Sequence, residues 1–486
     1  MSASFVQTLN FCARDASNES AALQAARTLG LLDALRDAPA GVTLASLSST
    51  LASKPRGVRA LLEVLVGLGF VRFDGDTYAL TQTSAEFLAD AGFRKRLDEA
   101  SGWWTASALL PDAVRTGSSA EARDLLEWFE QRFSEVGSPA ARGSAEDFYD
   151  RFARSFLRTQ VLVAASRVGL LEALAQGPSQ HAALEERLEL SSRGLEVLLG
   201  ALQRMEIVVA SREDVRFTEQ AAYSLDPKSL PYFERALPAT MVYWEGLGQL
   251  ADAVKTGRFV LDLKRPEIAA KIYGENASRI TGIFASHLRL GRHAVQLVKQ
   301  MRSLAGARIL DVGTGSGVWG AAFAEGDPSA QVTFLDSEQV LTTVRENLAR
   351  VKLLERARLW AADCTQVELG EAAWDVILLP QILPVLQPHE REDFWRRVGR
   401  ALAPGGVVAI SGYVLSDLRD GPMDAIYFSL RRYMTNEGDV LSLPEMRREL
   451  GRVGLGEARL YPLPVQELVL ATRGNLPWPA GAPDRA

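Results

Sequence analysis

The chain repeats itself within its N-terminal half, and this duplication limits most strongly how it can fold. The segment ARTLGLLDAL begins at Ala26, and ASRVGLLEAL begins 139 positions later at Ala165. In the same way RGVRALLEVLVGLGFV at 56–71 matches RGLEVLLGALQRMEIV at 193–208 with an offset of 137, and the tryptophan-led segment at 104–117 matches 244–257 with an offset of 140. Offsets this constant indicate a duplicated domain.

Each copy combines apolar residues at helical spacing with one short hairpin. The segments FVRFDGDTYALT and IVVASREDVRFT each predict two short strands joined by a turn. Helices followed by a β-hairpin predict a winged-helix unit, which is common in DNA-binding repressors. The helices that would read the DNA groove, however, are rich in Leu and Val, and the formal net charge of −6 is unfavourable for a phosphate backbone. We therefore expect no nucleic-acid partner.

Length and composition predict a globular chain of two or three domains, since 486 residues exceed one ordinary core and 47% of them are apolar. Two cysteines, Cys12 and Cys364, cannot form a disulfide framework. The N-terminus lacks the pattern of a signal peptide, and no run approaches the roughly 18 uncharged apolar residues of a membrane helix. We expect a cytoplasmic protein with no membrane partner, and we assign no metal ligands.

The pattern changes from Arg308 onward, where short apolar runs alternate with helical segments. This alternation predicts an α/β domain with a parallel sheet, that is, a Rossmann-like domain placed after the two mainly helical units. The motif DVGTGSG at 311–317 follows the first strand, where glycines permit a tight turn and close approach of a ligand. Its glycines are Gly313, Gly315 and Gly317.

Three aspartates extend this motif into a candidate cofactor site. Asp311 stands two residues before the first glycine, where its carboxylate can meet a cationic amino group. Asp336 ends the second strand and is placed to accept hydrogen bonds from two ribose hydroxyls, and Asp363 follows the third strand, where it suits an adenine amine. The spacing is GxGxG, with no place for a pyrophosphate. An amino acid, a ribose and an adenine together describe S-adenosylmethionine.

At these residues the chain resembles the class I methyltransferases with an N-terminal winged-helix dimerisation domain, the plant-type and bacterial small-molecule O-methyltransferases. The resemblance covers about 148–473 and includes LDVGTGSG, FLD, AAD and ALAPGG. It implies domains at 1–130 (first dimerisation-like copy), 148–260 (second copy) and 261–486 (cofactor domain), with a linker at 131–147. It also adds Ser337, Cys364 and Gln381 to the cofactor residues. The implied substrate residues are Tyr243, Phe284, His287, Tyr427, Tyr433 and Met434.

The resemblance fails at the residues that would remove a proton from the substrate. The family's usual histidine and the aspartate after it correspond to Pro384 and Val385, and the supporting glutamate falls near Gly412. A positioned base contributes on the order of 10²–10⁴ in rate. Its loss favours methylation of carbon, of a neutral amine or of an already ionised oxygen, which can proceed by proximity. Among the histidines, His287 is the candidate for catalysis, although a structural role is the simpler interpretation.

These observations predict an S-adenosylmethionine-dependent methyltransferase acting on a small, mostly apolar or aromatic secondary metabolite. One alternative is a catalyst that retains the cofactor without transferring its methyl group, such as a cyclase, decarboxylase or hydroxylase. Another is a winged-helix regulator that senses the cofactor. For the duplication, we expect Phe5 to Gly117 to pack against Phe148 to Gly257 as an intramolecular pseudo-dimer that helps to seal the pocket, with a homodimer as the alternative.

Overall fold

The computed structural model describes residues 3–117, 125–134, 145–226, 230–455, 457–464 and 466–480. It divides into two compact units, Met1–Leu261 and Asp262–Ala486. The centre of the predicted linker, residues 135–144, lies outside the described residues. Within the part of the chain that is described, no helix is long and apolar enough to cross a membrane.

The first copy in the N-terminal unit is mainly helical. Its elements are α1 (Ala3–Arg14), α2 (Ala16–Thr28), α3 (Leu31–Arg36), β1 (Val42–Thr43), α4 (Leu44–Thr50), α5 (Pro55–Gly67), β2 (Val71–Phe73), β3 (Thr77–Leu80), α6 (Gln82–Ala89), α7 (Ala91–Ser101), α8 (Trp103–Ser107), α9 (Leu110–Thr116) and α10 (Leu125–Ser134). The three strands form an antiparallel sheet in the order β1-β3-β2.

The second copy follows a similar order of elements, with one hairpin of two strands and fewer helices after it. Its elements are α11 (Ala145–Phe148), a π-helical turn (Tyr149–Ala153), α12 (Ser155–Arg167), α13 (Leu170–Ala175), α14 (His181–Leu188), α15 (Ser192–Arg204), β4 (Val208–Ala210), β5 (Val215–Phe217), α16 (Glu219–Ser224), α17 (Leu230–Gly248) and α18 (Leu250–Thr256). The β4–β5 hairpin gains an isolated bridge from Ser179 to Val215, where the first copy has β1. The winged-helix assignment of both copies stays a prediction.

Matching residues fulfil matching local roles in the two copies. Gly30 and Gly169, the glycines of the two GLL segments, both take a left-handed backbone, with φ of 76° and 79°, where one helix ends and the next begins. Most other residues would be strained there. The hydroxyls of Thr81 and Thr218 each cap the helix after the hairpin by accepting a backbone N–H bond. The residues that recur in sequence therefore include those that form the same turn and the same helix cap in each copy.

The two copies pack against each other within the N-terminal unit. Trp104 and Trp244, which correspond in the repeat, stack with ring centroids 4.0 Å apart and an interplanar angle of 16°. The indole N–H of Trp104 donates to the carbonyl of Trp244 at 3.2 Å. Helix α2 lies along α12, where the hydroxyls of Ser20 and Ser155 are 2.8 Å apart. This contact buries one copy's apolar face against the other.

The backbone contacts between the copies are reciprocal. The amide of Lys54, the N-cap residue before α5, donates to the carbonyl of Val254 at 3.0 Å. The amide of Ser191, the N-cap residue before α15, donates to the carbonyls of Arg115 and Val114 at 3.0 and 3.3 Å. Lys54 matches Ser191 in the repeat, and Val114 matches Val254. Exchange of equivalent contacts is the geometry of an isologous, two-fold interface.

The C-terminal unit is an α/β domain. Its elements are α19 (Pro266–Met301), β6 (Arg308–Val312), α20 (Val318–Gly326), β7 (Gln331–Asp336), α21 (Glu338–Arg350), β8 (Ala357–Ala361), β9 (Trp374–Pro380), α22 (Pro388–Ala401), β10 (Leu402–Gly412), α23 (Met423–Met434), α24 (Leu443–Arg452), β11 (Ala458–Pro462) and β12 (Glu467–Thr472).

These strands form one seven-stranded sheet in the order β11-β12-β10-β9-β6-β7-β8. The five strands from β6 to β10 are parallel, and β12 is antiparallel to both β10 and β11. Both faces are covered by apolar side chains: helices α19 to α21 pack on one face, and α22 and α24 on the other. The predicted α/β fold with a Rossmann-like C-terminal domain is confirmed. In such a sheet, ligands bind at the carboxyl ends of the parallel strands.

Candidate cofactor and substrate site

The predicted cofactor residues lie at or just after the carboxyl ends of neighbouring strands. Asp311 lies in β6, Asp336 ends β7, Asp363 follows β8 and Gln381 follows β9. These four strands are adjacent in the order β9-β6-β7-β8. The fold therefore brings to one edge of the sheet residues that are separated by up to 70 positions in the sequence.

The glycine-rich loop after β6 adopts a conformation that glycine alone takes readily. Gly313, Gly315 and Gly317 have φ of 64°, 55° and 78°. A Cβ on Gly313 would lie 2.9 Å from Ile382 Cδ1, and one on Gly317 would lie 2.9 Å from Val344 Cγ1, whereas no atom lies within 4 Å of a Cβ placed on Gly315. The outer two glycines are thus needed for packing, and the middle one leaves the loop open to a ligand.

Asp336 ties the end of β7 to this loop. One carboxylate oxygen accepts from the amide of Gly315 at 3.0 Å, and the other accepts from the amide of Ser337 at 2.8 Å. Burial raises the pKa of Asp336 above its ordinary value, while the two amide bonds and the side chain of Ser337 oppose that rise. An ionised carboxylate has about four acceptor sites, so Asp336 can accept a further hydrogen bond.

Asp311 is fully buried beneath the glycine-rich loop. Its Oδ2 accepts from the hydroxyl of Thr314 at 2.6 Å and from the amide of Gly320 at 2.9 Å, whereas its Oδ1 has no hydrogen-bond partner in the protein. Burial raises the pKa of Asp311 to about 7, against the lowering effect of those two bonds. A cation reaching Oδ1 would therefore favour the ionised carboxylate.

The residues after β8 lie next to the same loop. Oδ1 of Asp363 accepts from the amide and the hydroxyl of Thr365, at 2.9 and 2.6 Å, and this holds the carboxylate at the end of the strand. The sulfur of Cys364 lies 3.6 Å from the position of a Cβ on Gly313. Burial raises the pKa of the Cys364 thiol to about 12, so that it remains protonated and unreactive at neutral pH.

The carboxyl ends of β9 and β10 carry uncharged residues. Pro384 is buried in a single 3-10 turn, Leu383–Val385, and Gly412 ends β10, so the positions of the family's histidine and glutamate offer no ionisable side chain. Gln381 has a left-handed backbone, with φ of 57°, and its amide donates to the carbonyl of Ser411 at 2.8 Å. Its neighbour Ile382 is the side chain that reaches Gly313.

The predicted substrate residues are distributed over three helices. Tyr427, Tyr433 and Met434 are buried on α23, and His287 is partly buried on α19. Phe284, also on α19, belongs to the apolar layer on that face of the sheet, which explains its burial by packing alone. Tyr243 is buried in the N-terminal unit. The roles of these six residues in substrate binding stay predictions.

Sequence reasoning did not single out two buried polar residues near the ends of β9 and β10, Ser411 and Gln466. Both are buried, and the side chain of Gln381 donates to Gln466 at 3.3 Å. Ser411 was detectable in principle, because it is the one polar residue in the strand segment VVAISG. Gln466 follows no motif, and only the pairing of β12 with β10 brings it to this end of the sheet.

Comparison with known families identifies the two parts of the chain. A sequence model described as a methyltransferase domain matches residues 309–406, which contain the glycine-rich loop and the carboxyl ends of β6 to β9. A second, described as the O-methyltransferase dimerisation domain, matches residues 13–90. The chain is therefore similar to class I O-methyltransferases that carry a dimerisation domain. The second match falls on the first copy of the repeat, ahead of the region on which the sequence resemblance was based.

Relatives with known activities are methyltransferases as well. The chain is 27% identical over 304 residues to 3-hydroxy-5-methyl-1-naphthoate 3-O-methyltransferase of Streptomyces sahachiroi. The aligned region covers 62% of this chain and 87% of the relative. The chain is 26% identical over 353 residues to acetylserotonin O-methyltransferase of Mus musculus, spanning 66% and 87%. The solved structure of human N-acetylserotonin methyltransferase with SAM has a TM-score of 0.58 at 21% identity, spans 70% of this chain and 100% of that one, and supports the fold alone.

The cofactor is S-adenosylmethionine, and the candidate site suits it chemically. The buried Oδ1 of Asp311 lacks a partner in the protein, the Asp336 carboxylate can accept further hydrogen bonds, and the middle glycine of the loop leaves room for close approach. These are an acceptor for an ammonium group, acceptors for a diol and an open loop. Among the described residues, no group of acidic, histidine or cysteine side chains is arranged to hold a metal ion.

Proposed function

We propose that the protein methylates a small, mostly apolar or aromatic metabolite without a general base at the family's usual position. The observation that carries this proposal is the contrast between a cofactor side built on aspartates and a substrate side with Pro384 and Gly412. When bound, S-adenosylmethionine supplies an electrophilic methyl group. The chain's own residues would hold it: Asp311 would accept from the ammonium group, Asp336 from the ribose hydroxyls, and Asp363 from the adenine amine.

The missing base restricts which atom can accept the methyl group. A neutral phenol or alcohol would need a residue that removes its proton, whereas a carbon nucleophile, an amine or a phenolate needs only alignment with the methyl group. We therefore propose C-, N- or pre-ionised O-methylation. His287 on α19 is the remaining candidate for a base.

Turnover with labelled cofactor tests this function. Purified protein is incubated with methyl-labelled S-adenosylmethionine and a panel of naphthols, naphthylamines and hydroxynaphthoates. We expect S-adenosylhomocysteine and labelled product to form in equal amounts, with the yield following the acidity or nucleophilicity of the acceptor. Product that forms without S-adenosylhomocysteine would instead support the second candidate, a catalyst that retains the cofactor, which the loss of the base also favours.

We further propose that the two N-terminal copies form an intramolecular pseudo-dimer. The stacked tryptophans and the reciprocal backbone bonds of Lys54 and Ser191 support this arrangement, because equivalent residues make equivalent contacts. A tethered copy meets its partner at an effective concentration that reaches about a millimolar. The surface through which a family member with one such domain pairs with a second chain would then be covered by the same chain.

Two glycines of α15 provide a matched test of this packing. A Cβ on Gly194 would lie 2.1 Å from the carbonyl oxygen of Val114, whereas nothing lies within 4 Å of one on Gly200. We expect the wild type to sediment as a 53.0 kDa monomer, Gly194→Ala to self-associate or aggregate, and Gly200→Ala to remain monomeric. A wild type that sediments at twice the chain mass would overturn the pseudo-dimer in favour of a homodimer.

A further inference from the structure

Three polar residues lie near the carboxyl ends of β9 and β10 and the start of β12, and each keeps a buried side-chain atom without a hydrogen-bond partner. Ser411 and Gln466 are 3% and 6% exposed. Gln381 Nε2 donates to Gln466 Oε1 at 3.3 Å, which leaves Gln381 Oε1, Gln466 Nε2 and Ser411 Oγ unpaired. A buried polar atom that lacks a partner costs about 1–3 kcal/mol, so three of them together require a function.

The chemical character of this cluster does not depend on how the two amides are turned. One hydrogen bond joins Gln381 to Gln466 in either orientation. If both amides flip, the donor and the acceptor exchange places, and the pair still offers one free N–H and one free carbonyl oxygen. The hydroxyl of Ser411 can then act as either donor or acceptor. The cluster therefore presents both kinds of hydrogen-bonding atom.

Gln381, Ser411 and Gly412 line a small cavity whose other walls are mostly apolar. Its volume is about 10 Å³, and the remaining lining residues are Leu379, Ile382, Leu383, Pro384, Ile410, Tyr413, Val414, Leu441 and Met446. That volume holds about one oxygen-sized group. A Cβ on Gly412 would lie 3.1 Å from Gln381 Oε1, so the glycine keeps that oxygen uncovered.

The cavity lies beside the cofactor loop. Ile382, one of its walls, is also the side chain whose Cδ1 lies 2.9 Å from a Cβ placed on Gly313. Gln381 is held in a left-handed conformation, with φ of 57°, which costs a non-glycine residue on the order of 1–3 kcal/mol. This strained backbone directs the carboxamide of Gln381 toward the end of the sheet next to the glycine-rich loop.

We propose that Gln381 and Ser411, which line this cavity, bind one uncharged oxygen of the substrate, a carbonyl or a hydroxyl, and thereby orient the substrate for methyl transfer. Gln466 holds the Gln381 carboxamide in place through their hydrogen bond. The proposal assigns Gln381, which the resemblance grouped with the cofactor residues, to the substrate. This inference rests on the proposed function, because it assumes a substrate at this end of the sheet. The oxygen is uncharged because the cavity walls include no Arg, Lys or His. A carboxylate buried there would lose its hydration without gaining a counter-ion.

Paired probes of one shape test the proposal without the natural substrate. The probes are 2-acetylnaphthalene, which carries a carbonyl, 2-isopropylnaphthalene, which replaces it by a methyl group, and 2-naphthoate, which is charged. Their dissociation constants are measured by calorimetry with S-adenosylhomocysteine saturating. We expect the wild type to bind the ketone about fivefold to tenfold more tightly than either of the others, the range expected of one neutral hydrogen bond. Purely apolar binding would favour the isopropyl probe.

Two variants test whether Gln381, Ser411 and Gln466 cause the preference for the ketone. We expect Ser411→Ala and Gln466→Leu each to reduce the ketone preference to less than twofold and to leave the affinity for S-adenosylhomocysteine unchanged. Gln300→Leu, an exposed position near the end of α19, is the control and should keep the preference. Thermal melting checks that each variant folds. The serine variant removes one oxygen only, so it keeps the test informative if the leucine variant is unstable.

The outcomes separate this inference from the proposed function. Equal binding of the ketone and isopropyl probes by the wild type would mean that the cluster holds only water, and would overturn the inference. A preference that survives in both variants would overturn it as well. A ketone preference without any methyl transfer in the turnover assay would refute the proposed function and leave the oxygen site standing. Methyl transfer in the turnover assay without a preference for the ketone probe would support the proposed function and refute the oxygen site.

Discussion

In the seven-stranded sheet, the polar residues at the carboxyl ends of neighbouring strands are of two chemical types, charged and uncharged. Asp311 lies near the end of β6, Asp336 ends β7 and Asp363 follows β8, whereas Gln381 follows β9 and Ser411 lies at the end of β10. We propose that the first group binds polar and cationic parts of the cofactor, for which carboxylates are suited. Gln381 and Ser411 offer only neutral hydrogen bonds. The comparison teaches that the proposed cofactor residues are charged, whereas the ends of β9 and β10 lack the residues proposed to move a substrate proton in similar enzymes.

Among the substitutions considered, Asp336→Ala should reduce the affinity for the cofactor most. It removes the carboxylate that we propose to bind the two ribose hydroxyls, and also the bond that holds Gly315 in place. Two hydrogen bonds to a charged group contribute about 1.5–3 kcal/mol each, so we expect affinity for S-adenosylmethionine to fall by at least about 100-fold in calorimetry. Asp417→Ala, which removes an exposed carboxylate, should bind as the wild type does. Equal affinity of Asp336→Ala and wild type would remove Asp336 from the site.

The glycine-rich loop permits a finer test with Gly315→Ala. Its φ is 55°, and Gly405 has a similar φ of 67°, with open space around the Cβ position of both. Both alanine variants therefore carry the same backbone strain, about 1–2 kcal/mol, and should melt at similar temperatures. Only Gly315→Ala places a methyl group on the cofactor loop. We expect about tenfold weaker cofactor binding in that variant, and similar weakening in Gly405→Ala would attribute the effect to strain.

The pH dependence of cofactor binding tests whether Asp311 becomes ionised when the cofactor binds. Its pKa is raised to about 7 from 3.8 by burial. The stability that this group contributes is therefore fully present below pH 3.8 and is lost as the pH rises through about 7. An ammonium group at Oδ1 favours the ionised form, so affinity should rise up to tenfold per pH unit below 7 and level off above it. Calorimetry at pH 6 in buffers of different ionisation enthalpy should detect proton release, which Asp311→Asn should abolish.

The smallest expected effect concerns the substrate side. If no base acts there, kcat at saturating cofactor should change less than about tenfold in His287→Gln, because a positioned base contributes on the order of 10²–10⁴. The kcat of the wild type should likewise show no inflection near pH 6.5, the ordinary pKa of histidine. An inflection that disappears in His287→Gln would establish His287 as the base and weaken the contrast between the two groups of strands.

The sequence by itself determined the order and type of the main elements around the site. Periods of apolar residues marked the strands β6 to β10, and the loop glycines and the aspartates after the strands could be located because parallel strands expose their carboxyl ends at one edge. The repeat was also visible in sequence, since its matched glycines and threonines serve local turns and caps. Such features depend on neighbours a few residues away, which is why a single sequence reveals them.

Only the tertiary structure decided which distant residues meet. The stacking of Trp104 on Trp244 and the reciprocal bonds of Lys54 and Ser191 join positions more than 70 residues apart. Gln466 reaches Gln381 across 85 positions because β12 runs antiparallel beside β10. No local period encodes such pairings, since they depend on strand order and register across the whole sheet. The physical reason is that burial and hydrogen bonding between remote segments are properties of the packed chain.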